Sequence, residues 1–195
     1  MNHRFAVWRT AGFPIKLANI ADSRKVRNAD VCRPAANFNF ARPGWQMHEQ
    51  RFSEKQPRMD RSVGKILDLL DELKLSDNTL VIFSSDNGPS PEGGQSLKFF
   101  NSSGPLSGHK RSMHEGGIRV GMIARWPGKI KPGRTSDHVS AFWDFLPTAC
   151  EVAGVELPRD VKIDGISYLP ELLGQSEPQK KHEYLYWELG QQVAV

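Results

Sequence analysis

The chain has 195 residues, 38% of them hydrophobic and 25% charged, with a formal net charge of +4. That balance belongs to a globular chain long enough for a real core and excludes a fibrous or disordered one. The 26 Lys and Arg are dispersed along the sequence, which favours a solvated surface over a nucleic-acid stripe, and no apolar run approaches the roughly 18 residues of a membrane span.

Residues 1–57 show little periodicity, so an irregular segment with no long helix or strand is expected there. Met1 to Arg9 has no apolar leader core, because Arg9 interrupts it. From Ser62 to Leu75 the residues Val63, Ile66, Leu67, Leu70 and Leu73 recur at spacings of three and four, which predicts an amphipathic helix. Ser76-Asp77-Asn78 breaks it. Thr79 to Ser84 is a short β-branched apolar run, predicting a strand buried on both faces as in a parallel sheet. A helix followed at once by such a strand is half of an α/β unit.

Asp86-Asn87-Gly88 follows that strand directly. Ligands of open α/β sheets bind beyond the carboxyl ends of strands, and a carboxylate with an amide oxygen suits a hard cation such as calcium or magnesium. The same three residues also make a good turn. Ser90 to Gly117 is rich in Gly, Ser and Pro and predicts a long loop without structure of its own. It carries Lys110, a compact cation able to hold a sulfate or phosphate oxygen, or simply to face solvent. His109 and His114 are expected to be exposed, and Gly116-Gly117 to mark a close backbone approach or a bulge. Ile118 to Trp126 predicts a second strand, ended by Pro127-Gly128. A helix is expected over Phe145 to Ala153, with Pro147 in its first turn and Gly154 past its end, and a helical turn over Tyr168 to Leu173, stopped by Gly174. Asp144 fits a helix start and Asp164-Gly165 a turn, neither with a catalytic role. His182 to Leu189 predicts the start of another strand. The two cysteines, Cys32 and Cys150, form no disulfide framework and no zinc-type pair.

In combination these pieces resemble the type I sulfatases, the arylsulfatase family. The resemblance runs in order through Met59-Asp60-x-x-Val63-Gly64, Asn78 to Gly88, Gly104-Pro105-Leu106-x-Gly108-x-Lys110, Glu115-Gly116-Gly117-Ile118-Arg119-Val120 and Trp126-Pro127-Gly128. It continues through Asp144-x-x-Pro147-Thr148, Ala153-Gly154, Asp164-Gly165-x-Ser167 and Tyr186-Trp187-Glu188. It covers residues 59 to about 190.

The resemblance implies an alkaline-phosphatase-like α/β sandwich around a mixed β-sheet, incomplete in this chain, and hydrolysis of sulfate esters, with a small-molecule or carbohydrate ester as the partner. It places Asp86 and Asn87 at the family's late pair of calcium ligands and Lys110 at the catalytic lysine that contacts the sulfate. It implies three parts: residues 1–57 without a family counterpart, 58–181 as the C-terminal part of the catalytic domain, and 182–195 as the start of a small subdomain. The family's nucleophile is a formylglycine made from cysteine in a Cys-x-Pro-Ser-Arg motif. Here Cys32-Arg33-Pro34 is followed by Ala35 and Ala36, and no Asp-Asp pair precedes Asp86. The expectation is therefore a truncated sulfatase with little activity alone. Two rivals stand beside it: a non-catalytic remnant that self-associates through exposed sheet edges, and a phosphoester hydrolase of the same superfamily. Family members are commonly exported or lysosomal.

Overall fold

The structure is a computed structural model. It describes the backbone of residues 6–8, 47–175 and 178–195, with side chains from residue 57 onward. Cys32 and its neighbours lie outside the described residues.

The first helix, α1 (Met47–Glu72), begins fifteen residues before the periodic stripe at Ser62. Its early part is rich in Glu, Gln, Arg and Lys, good helix formers with no apolar stripe to announce them. Pro57 sits inside it, where a proline normally interrupts the backbone ladder. Within the stripe, Leu67 is buried, whereas Ile66 and Leu73 are each 57% exposed. The chain leaves the helix after Glu72 through Lys74, whose φ of 57° is left-handed, and a tight turn over Ser76–Asn78 follows.

The predicted strand appears as β2 (Val81–Ser84). It is not buried on both faces and not parallel. It is half-buried, with Phe83 exposed, and pairs antiparallel with β3 (Met122–Arg125) in the register Ile82↔Ala124 and Phe83↔Ile123. A short apolar run signals burial without specifying which face or which partner direction supplies it. The four-stranded sheet has the order β2-β3-β1-β4, where β1 is Ala6–Trp8 and β4 is Thr135–Ser136. β1 runs antiparallel to β3 and parallel to β4, so the sheet is mixed. The expectation of no long helix in residues 1–57 is corrected by α1, which already begins at Met47, while β1 is a strand of only three residues.

The expected structureless loop after Asp86 holds two one-turn helices, α2 (Leu97–Phe100) and α3 (Glu115–Ile118). The Ser96 hydroxyl caps α2 by accepting from Phe99 N–H, and Asn101 ends it in a left-handed conformation. Helices α4 (Phe145–Ala153) and α5 (Leu169–Leu173) fall where expected, closed by Gly154 and Gly174 at φ 67°. A two-stranded ribbon, β5 (Trp187–Leu189) with β6 (Gln192–Ala194), follows.

The core is small and joins these pieces. Ala124 of β3, Ile130, Tyr168, Leu169 and Leu172 are buried together, and Leu80, Ile82, Met122, Trp126, Val152 and Leu173 pack against them. Trp126 donates its indole N–H to Asp77 O at 3.0 Å, tying the Trp-Pro-Gly turn back to the loop before β2. The Arg134 guanidinium reaches Glu171 Oε1 at 2.6 Å and holds α5 beside β4. Among the described residues no helix is long and apolar enough to cross a membrane.

Candidate functional site

The carboxyl end of β2 delivers Asp86, Asn87 and Gly88 into a turn held by two serine hydroxyls and by backbone contacts. Ser84 donates its hydroxyl to Gly121 O at 2.9 Å, and Ser85 donates to Asn87 O at 2.8 Å. Gly88 N–H donates to Gly117 O at 2.9 Å, Gly116 N–H to Ser107 O at 2.7 Å, and Lys110 N–H to Pro89 O at 3.0 Å. Three separate stretches, 86–89, 107–110 and 114–117, are thereby laced into one platform.

The approach is close enough to require glycine. A Cβ on Gly88 would lie 2.8 Å from the Gly116 carbonyl carbon and overlap its oxygen. One on Gly117 would run into Ser112 O and lie 2.9 Å from the Ser112 carbonyl carbon. The expectation of a close approach at Gly116-Gly117 is met, and its partners are Gly88, Gly108 and Ser112.

The Asn87 amide donates to Asp86 Oδ1 at 3.0 Å and weakly to Gly88 O at 3.3 Å. These two bonds fix the orientation of the Asn87 amide nitrogen. No hydrogen bond among the described residues uses the Asn87 side-chain oxygen or the second Asp86 oxygen. Two hard oxygen donors on consecutive residues fit part of a divalent-cation shell, which for calcium takes six to eight oxygens. Among the described residues no three His, Cys, Asp or Glu side chains gather into a metal cluster. His109 and His114 are exposed, as expected, and make local contacts, with Lys110 O and with the Ser112 hydroxyl.

Lys110 is brought to the platform by its backbone, while its ammonium points to Glu92 rather than Asp86, with Nζ 2.9 Å from Glu92 Oε2. The second Glu92 oxygen lies 2.8 Å from Arg111 Nη2. The hydrogen bond from Lys110, then its charge and that of Arg111, hold the Glu92 carboxyl below the usual carboxylate range. Neither Glu92 nor Arg111 was legible as a site residue: an acid eighteen residues from Lys110 carries no local signal of contact with it.

At the end of a strand of this α/β protein, an oxygen-donor turn is laced by backbone hydrogen bonds to a loop that presents a lysine. A sulfatase family model matches residues 50–155. The chain is 37% identical to mouse steryl-sulfatase over 153 residues, which is 76% of this chain and 24% of that protein. It is 41% identical over 128 residues to dog N-acetylgalactosamine-6-sulfatase, covering 64% of this chain and 23% of that protein. The crystal structure of the PsFucS1 sulfatase from Pseudoalteromonas sp. superposes with a TM-score of 0.57 at 30% identity, over 71% of this chain and 26% of that one. The chain belongs to the sulfatase family. Its fold is part of the alkaline-phosphatase-like α/β fold, and it spans about a quarter of the length of these curated relatives.

Proposed function

We propose that this chain carries the late half of a sulfate-ester hydrolase site. The observation that supports the reading most directly is the backbone lacing of Asp86-Asn87-Gly88-Pro89 to Lys110 within the residues matching the sulfatase model. Asp86 and Asn87 would hold a calcium ion through their side-chain oxygens. Such an ion, when bound, draws negative charge off the sulfate oxygens. Lys110 would hold a sulfate oxygen as a point charge, stabilising the negative charge that builds as the ester S–O bond breaks. Asp86 would also orient the attacking hydroxyl. On this reading residues 58–181 belong to the catalytic domain and 182–195 open a smaller subdomain. The names of the relatives put a steroid and an amino sugar among the substrates of similar proteins, and a sulfate ester of either kind is proposed here. No Cys-x-Pro-Ser-Arg motif occurs in the sequence, so turnover by this chain alone is not expected.

Calcium titration of the heat-unfolding transition tests the metal half of the proposal. At a hundredfold excess over Kd, a single site adds about 2.7 kcal/mol, raising Tm by about 5–10 °C in a chain of this size. Asp86→Ala should abolish the rise. A calcium response that survives Asp86→Ala would overturn the assignment. Turnover of an aryl sulfate, lost in Lys110→Ala, would overturn the expectation of inactivity.

The outer edge of β2 has no strand partner among the described residues. That edge supports a second reading, a self-associating protein. Sedimentation equilibrium at ~10 μM decides it: a concentration-dependent dimer is expected on that reading, and a monomer overturns it.

A further inference from the structure

We propose that Glu92 is a built-in competitor for the anion that Lys110 receives, and that Arg111 is the second cation of that anion site. The inference rests on the reading of Lys110 given above and goes beyond it by naming the residues that tune the affinity.

The geometry is that of an anion bridge. One Glu92 oxygen lies 2.9 Å from Lys110 Nζ and the other 2.8 Å from Arg111 Nη2. Side chains of consecutive residues in an extended segment point to opposite sides. Here Arg111 has a φ of 71°, a left-handed conformation uncommon for an arginine, and both cations meet the same carboxylate. The turn is closed by Ser112 N–H donating to His109 O at 2.9 Å. On the other side, Glu92 N–H donates to the Ser90 hydroxyl at 3.1 Å, which fixes the start of the acidic arm. Pro91, Glu92, His109, Lys110, Arg111 and Ser112 line a hollow of about 180 Å³, room for a tetrahedral oxyanion.

The charges decide what such a site takes. Two cations share one carboxylate, so an excess of one positive charge remains. Two of the four oxygens of a tetrahedral sulfate can take the places of the two carboxylate oxygens, since both pairs accept charge-assisted hydrogen bonds. The side chains of Lys110, Glu92 and Arg111 are 30%, 49% and 76% exposed, so the bridge opens to solvent and is weak enough to be displaced. Glu92 then lowers anion affinity without blocking it, and Arg111 raises it.

Inorganic sulfate is the probe, titrated at constant ionic strength against chloride and followed by the backbone amide NMR shifts of residues 109–112. Glu92→Gln should saturate at about two- to fivefold lower sulfate than the unsubstituted chain, and Arg111→Ala at a similarly higher concentration. Glu92→Gln keeps the backbone contact to Ser90 and the side-chain length, and removes the charge with one of the two acceptor oxygens. An unchanged or weaker response in Glu92→Gln, with the response lost in Lys110→Ala, overturns this proposal and leaves the reading of Lys110 standing. A response unaltered in Lys110→Ala overturns the reading of Lys110 itself.

Discussion

Asp144→Ala is expected to lower the stability of the folded chain by about 3–5 kcal/mol, the cost of removing one partner from a buried charged network. Asp144 is 1% exposed. Its Oδ2 accepts from Ala141 N–H at 2.7 Å, and its Oδ1 accepts from Ile166 N–H at 2.8 Å and lies 2.8 Å from His182 Nε2. Its carbonyl accepts from the Thr148 hydroxyl at 2.7 Å, and that hydroxyl in turn accepts from Tyr168 N–H. The residue therefore binds four places together: the turn before α4, α4 itself, the segment entering α5, and the stretch leading to β5. Burial first, and the Asp144 charge second, push the Tyr168 phenol up to about 12. Alanine would leave two amide donors and an imidazole without their acceptor, each a loss of about 1–3 kcal/mol when buried. Asparagine keeps one acceptor oxygen and should lose less. Urea unfolding measures both variants. A loss under about 1 kcal/mol for alanine would mean that water replaces the carboxylate and that Asp144 is not a hub.

Gly88→Ala is the second large effect, through overlap rather than lost bonding. Its added methyl would lie 2.8 Å from Gly116 C and 3.0 Å from Gly117 Cα, both backbone atoms of α3. Neither can rotate away as a flexible side chain could. The 86–89 turn must separate from α3, breaking the Gly88 N–H to Gly117 O bond. Overpacking of this kind costs about 1–3 kcal/mol. Gly88→Ala should also lose the calcium response while leaving Asp86, Asn87 and Lys110 chemically intact. Gly64→Ala is the control: its Cβ meets nothing within 4 Å, and in mid-helix alanine should stabilise by about 0.5–1 kcal/mol. Thermal unfolding of the two variants with and without calcium separates a general glycine effect from one specific to the platform.

The two variants differ in how far the sequence announced them. The Gly116-Gly117 pair gave a local sign of close approach, though not its partner at Gly88. Asp144 gave only the sign of an acid near a helix start, and its tie to His182 spans 38 residues. The same contrast runs through the whole chain. Helices α4 and α5 were legible because capping glycines and apolar spacing act over a few residues. Strand β2 was legible as an apolar run, and the Asp86-Asn87 pair as the residues at its carboxyl end. The start of α1 was not, because Pro57 and a polar first half mimic an irregular segment.

By itself, then, the sequence determined the α/β character, the order of most elements, the sulfatase resemblance and the candidate residues Asp86, Asn87 and Lys110. Only the tertiary structure decided that β2 pairs antiparallel with β3, that β1 inserts between β3 and β4, and that Glu92 reaches both Lys110 and Arg111. The reason is one of range. Propensity, capping and periodicity are set by neighbours within a turn or two. Strand register and ion pairing are set by segments that meet only after the intervening chain has folded, and a register depends on the total burial each alternative achieves.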